Sequence, residues 1–126
     1  MFKWVSYLCV AVFLYVGVVL LVMPATQIET LGLAVDPGAE VMGRRSAPLY
    51  FVVSMIGLYF AHQPVGQART VFASAWGGSL LLVAVLGAVD LFMGRVSSDV
   101  LLAIVVEVAM AFGLLLSMRR GDSVSQ

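Results

Sequence analysis

Apolar residues dominate four long stretches of the chain, and short polar clusters separate them. The first stretch runs from Trp4 to Met23 and stops at Pro24. About 20 apolar residues are needed to cross a bilayer as a helix, and this run has that length. The core of a secretory signal is only ~7–15 residues, so the run reads as a retained first span. A third stretch covers about 70–93 and a fourth about 99–118. The second contains Pro48–Ala61, which looks short, but its start signal lies upstream. Asp36-Pro37 places an N-cap residue before a proline at the first helical position. A helix over 37–61 would be about 37 Å long, with Pro48 inside it. Arg44 and Arg45 then fall two turns into that helix.

Between the first two spans, Thr26-x-x-Glu29 has the spacing of a capping box, and Gly32 marks a helix stop. Ile28, Leu31 and Leu33 would rest this short helix on the membrane surface. The tail 119–126 is polar. The predicted fold is all-α: one integral membrane four-helix bundle, with a short interfacial helix between the first and second spans.

Composition narrows the class further. Of 126 residues, 62% are hydrophobic and 11% charged, and mean hydropathy is +1.06. A soluble domain this small could not hide so much apolar surface. Seven basic residues balance seven acidic ones, so nothing suggests nucleic acid as a partner. The bilayer is the implied surrounding. A membrane-protein partner, a second copy or a lipophilic ligand are the further partners that this composition admits. The single cysteine, Cys9, cannot form an internal disulfide. Metal-ligand spacings, phosphate loops and serine–histidine triads are absent from the sequence, so neither a metal nor a cofactor is expected. With four spans, Lys3, Arg69, Arg119 and Arg120 share one side. The other side has Arg95, plus Arg44 and Arg45 if these lie outside the span. Excess basic charge marks the cytoplasmic side, so both termini are expected in the cytoplasm and the protein in the cell membrane. Trp4, Tyr7, Tyr59 and Trp76 would form an aromatic belt on the terminal side.

Glu107 stands alone in the apolar run Ala103–Phe112. A charged residue at a helix centre costs about 2.5–3.5 kcal/mol on insertion scales, so it needs a partner or a polar cavity. Glu107 is eight residues past Asp99, about 12 Å along its helix. Asp90, Arg44 and Arg45 lie comparable distances from the same end. The expected site is therefore a buried cluster of Glu107, Asp90, Arg45 and Arg44. Arg45 is favoured as the partner of Glu107, because Arg45, Leu49, Val52, Ile56 and Tyr59 form one stripe. Arg95 and Asp99 should pair across the loop between the last two spans. The cluster could pin helix register as an Arg–carboxylate bridge. It could also serve acid–base chemistry, because two nearby carboxylates can titrate apart.

The layout resembles the DoxX-like group of small bacterial four-helix membrane proteins. The resemblance is carried by Leu20-Leu-Val-Met-Pro24 ending the first span, the short helix closing in Leu31-Gly-Leu33, and Arg44-Arg45 early in the second span. It implies a four-helix membrane bundle and says little about activity. Small multidrug transporters share the size, but their glutamate lies in the first span, and none occurs here between Trp4 and Met23. The leading expectation is a non-enzymatic accessory, assembly or structural subunit. The alternative is an intramembrane acid–base enzyme, or a binder or transporter of a lipophilic molecule, using Glu107, Asp90, Arg45 and Arg44.

Overall fold

The computed structural model describes residues 1–119, so the polar tail falls outside the described residues apart from its first residue. The described chain is all-helical, with α1 (Phe2–Val22), α2 (Pro24–Thr30), α3 (Pro37–His62), α4 (Gln67–Phe92) and α5 (Val100–Arg119). Among the described residues, three helices are long and apolar enough to cross a membrane: α1, α4, and α5 over Val100–Ser117. This is a membrane protein by that measure. Helix α3 is as long as α4, 26 residues, but carries Glu40, Arg44 and Arg45 in its first three turns.

The helix ends follow from local chemistry. Asp36 caps α3 by accepting from the Ala39 amide at 2.8 Å, ahead of Pro37. Only Met23 separates α1 from α2, and Pro24 opens α2. The expected Thr26–Glu29 capping box does not form. The N-cap of α2 is Met23, and the Thr26 carbonyl instead accepts from the Thr30 hydroxyl. Two helices end in the same left-handed device. At Gly32 (φ +73°), the Gly32 amide donates to the Glu29 carbonyl and the Leu33 amide to the Ile28 carbonyl. At Gly94 (φ +68°), the corresponding acceptors are Leu91 and Asp90. This is a Schellman closure, which needs a residue without a Cβ penalty at the turning point.

Packing builds two hairpins. Helix α3 lies along α1, α4 lies along α5, and α1 joins the pairs through α5. Helix α2 packs on α1 and α3. Small residues set the close approaches. A Cβ at Gly17 would stand 3.0 Å from the Phe51 ring and 3.1 Å from the Tyr50 Cβ. A Cβ at Gly77 would meet Leu115, and one at Gly87 would meet Ile104. In lipid, association depends on such packing, because the tails are as apolar as the side chains.

The core lies toward the end that holds the chain termini. It contains Phe2, Cys9, Val10, Ala73, Trp76, Leu80, Met110, Ala111 and Leu114. Trp76 was expected in an interfacial belt but is only 6% exposed. Its ring fills the space between the hairpins, packing edge-on to Phe13 with ring centroids 5.6 Å apart. It also abuts Gly57, where an added Cβ would come within 2.5 Å of the indole. Phe60 of α3 and Phe72 of α4 stack at 4.4 Å beside it.

Candidate functional site

The expected charge cluster does not assemble. Arg44 pairs along its own helix with Glu40 at 3.9 Å. Arg95 reaches back to Asp90 at 3.2 Å rather than across the loop to Asp99. Asp99 instead accepts from the Ser97 hydroxyl at 3.4 Å. Arg45 is exposed, and neither a salt bridge nor a hydrogen bond joins it to Glu107.

Two features of α3 explain the difference. The first is facing. The buried residues of α3 are Ala47, Ser54, Gly57 and Ala61. Arg45 is nine residues before Ser54, half a turn around the helix from it. The whole stripe chosen for Arg45 is exposed, including Leu49 at 66% and Tyr59 at 61%. The second is level. A Cβ on Gly43 would stand 3.2 Å from the Pro24 Cβ. The arginines that follow Gly43 therefore lie where α1 gives way to α2. Two turns inside α3 is not two turns inside the bundle, because the start of α3 runs past the end of α1.

Asp90 is likewise an end residue. It is the last-turn position whose carbonyl accepts from the Arg95 amide in the Gly94 closure. The side-chain pair joins the same two residues, where a Schellman ending often has an apolar contact. Both ion pairs are open to solvent or headgroups, with side chains 37–64% exposed. Such pairs contribute about 0–1 kcal/mol.

Glu107 is different. It occupies the centre of the buried face of α5, in the series Val100, Glu107, Met110, Ala111 and Leu114. It is half-buried, and Ala103, one turn above it on that face, is exposed. The inner face of α5 is therefore open at Ala103, between Glu107 and the buried Val100. Among the described residues, Glu107 takes part in no salt bridge. The Tyr50 hydroxyl stands within electrostatic reach. The Tyr50 ring packs on Phe13 at 5.6 Å, and Phe13 leads on to Trp76. The Trp76 indole N–H is itself buried without an acceptor. The site residues thus separate: Glu107 faces the space between the hairpins, whereas Asp90, Arg44 and Arg45 belong to the α2 end. Tyr50 and Phe13 were not anticipated as neighbours. The signal that could have found Tyr50 was Gly17, whose missing side chain admits it.

The opposite end carries a second polar group. His62 Nδ1 lies 2.9 Å from the Leu58 carbonyl, which can only accept, so Nδ1 holds the proton. The Tyr7 hydroxyl then donates to Nε2 at 2.9 Å. Arg69 stacks over the Phe2 ring at 3.9 Å and donates to the Gln63 carbonyl at 3.3 Å. A shallow apolar depression lies nearby, lined by Phe60, Gln67, Ala68, Val71 and Phe72. No group of three His, Cys, Asp or Glu residues able to hold a metal occurs among the described residues. Serines 54, 74 and 79 bond to carbonyls of their own helices.

No protein-family model, curated protein or solved structure matches the chain.

Proposed function

We propose that the chain is a multi-pass protein of the cytoplasmic membrane with four spans, α1, α3, α4 and α5. In this reading α2 lies at the interface, and the layout is that of the DoxX-like group. The termini face the cytoplasm. Charge supports that orientation: Lys3, Arg69, Arg119 and Arg120 share the terminal end with Asp122 alone. The α2 end has Glu29, Asp36, Glu40, Asp90 and Asp99 against Arg44, Arg45 and Arg95. Basic residues count most, and four against three is a smaller bias than a span holding both arginines would give. Single cysteines at Ser97 and Ser123, in a Cys9→Ala background, test the orientation. Impermeant reagent added to intact cells should label position 97 and spare 123. The reverse pattern would invert the topology.

The activity that fits is a non-enzymatic accessory subunit that receives a group from outside the chain at Glu107. One observation carries this reading: a carboxylate on the inner face of an apolar helix, with no countercharge paired to it among the described residues. A register-fixing bridge would have supplied an arginine. An acid–base pair would have supplied the second carboxylate, and Asp90 is held by Arg95. Native mass spectrometry of protein released gently from its membranes should show an added mass. Glu107→Gln should lose it, and Glu107→Asp should retain part. Identical spectra for wild type and Glu107→Gln would exclude this function.

A further inference from the structure

We infer that the occupant of Glu107 is an amphiphilic cation, an ammonium or amidinium group on an apolar body, which enters between the hairpins from the bilayer. This rests on the reading of Glu107 as an open receiving group.

The charge is the first reason. Among the described residues, none of the three arginines at the α2 end pairs with Glu107. Arg44 and Arg95 are engaged with Glu40 and Asp90, and Arg45 projects from the far side of α3. A carboxylate in a poorly solvated place gains most from a charge-assisted bond to a cation. A bare metal ion does not fit, because among the described residues no cluster of ligating side chains surrounds the carboxylate. The surroundings are the second reason. Tyr50, within electrostatic reach of Glu107, begins a continuous run of rings through Phe13 to Trp76 in the core. Ring faces attract organic cations, and more strongly where water is scarce. Room is left one turn toward the α2 end, where Ala103 is exposed on the same face. The third reason is the approach. Five carboxylates against three arginines at the α2 end favour cations near that mouth.

Labelling by dicyclohexylcarbodiimide, which reaches carboxyl groups from within the bilayer, tests this. The wild-type protein is placed in vesicles of the uncharged lipid digalactosyldiacylglycerol. Modification of Glu107 is followed by peptide mass spectrometry, with Glu107→Gln as the blank. Dodecyltrimethylammonium, dodecanol and dodecyl sulfate share one chain and differ in head group. The cation should slow labelling of Glu107 by about tenfold or more, while the alcohol and the sulfate change it by less than about twofold. Phosphatidylethanolamine mixed into the vesicles shows whether a lipid amine is the natural source. Protection by lipid amine or by the single-chain cation supports the assignment. Equal protection by dodecanol would overturn it in favour of a merely apolar cleft. Rapid labelling that no probe slows would overturn it while leaving the open carboxylate standing. A Glu107 that never labels would remove the receiving group itself.

Discussion

The two ends of the molecule are held together differently. At the terminal end the hairpins are joined by side chains that cross between them: Phe60 on Phe72, Trp76 against Gly57, Arg69 over Phe2. At the α2 end the charged side chains bond along their own helix or helix end, Arg44 to Glu40 and Arg95 to Asp90. There the hairpins are linked through backbone. The Ser97 amide donates to the Leu31 carbonyl at 3.0 Å, and the Ser97 hydroxyl to the Thr30 carbonyl at 3.3 Å. One end is therefore held by packing between the hairpins, and the other is tied by a loop clasp, with an opening at Ala103 beneath it. Glu107 is only half-buried because packing is interrupted beside it.

The largest test strikes the packed end. Trp76→Ala should lower stability in detergent by about 3 kcal/mol, measured by thermal or denaturant unfolding. That is the low end for a large aromatic, because in a membrane the loss is mainly packing and cavity formation rather than transfer from water. A loss below about 1 kcal/mol would mean that the hairpins do not depend on this ring.

Gly57→Ala should cost about 2 kcal/mol, because its Cβ would meet Trp76 Cη2 at 2.5 Å and Cζ3 at 2.6 Å. Trp76→Phe removes that ring edge. The double variant should therefore cost about 1 kcal/mol less than the sum of the two single changes. Strict additivity would place the contact elsewhere.

Two glycines then isolate the clasp. Gly32 and Gly94 share a left-handed backbone, so alanine strains both by about 1–2 kcal/mol. Around Gly94 nothing lies within 4 Å of the added Cβ, whereas at Gly32 it would stand 2.7 Å from the Ser97 Cβ and 2.9 Å from its amide nitrogen. Gly32→Ala should therefore cost about 1 kcal/mol more than Gly94→Ala, in the same unfolding assay. Equal costs would show that the loop clasp contributes nothing.

The helix positions were legible because their signals are local. Asp36-Pro37 starts α3, Gly32 stops α2, and the length of Trp4–Met23 needs no partner to be recognised. Facing was not legible. In water, the apolar stripe of a helix marks its buried side. In lipid, both sides are apolar, and the inner side is marked by small residues instead. On α3 that stripe is Ala47, Ser54, Gly57 and Ala61, while the bulkier Leu49, Val52 and Ile56 are exposed. Following the large residues placed Arg45 on the wrong face. On α5 the same reasoning placed Glu107 on the inner face, because Met110, Ala111 and Leu114 follow it there. Trp76 was misplaced for a related reason: indole suits an interface, but it also fills a gap that glycine opens.

The smallest expected effect is the most pointed. Arg45→Met and Glu107→Gln should combine additively, within about 0.3–0.5 kcal/mol, in a double-mutant cycle on stability. Had the two formed a buried bridge, either single change would have stranded a charge at a cost of about 3–5 kcal/mol, and the pair would couple strongly. The geometry gives no such contact. Tyr50 is the α3 residue within electrostatic reach of Glu107, and Arg45 lies five residues from it, about 7.5 Å along the axis and more than a third of a turn around. Arg45→Met alone should change stability by less than about 0.5 kcal/mol, as for other exposed positions. Coupling well above that would mean that α3 rotates inward and the α2 end closes around Glu107. The opening at Ala103, and with it the receiving role of this carboxylate, would then be lost.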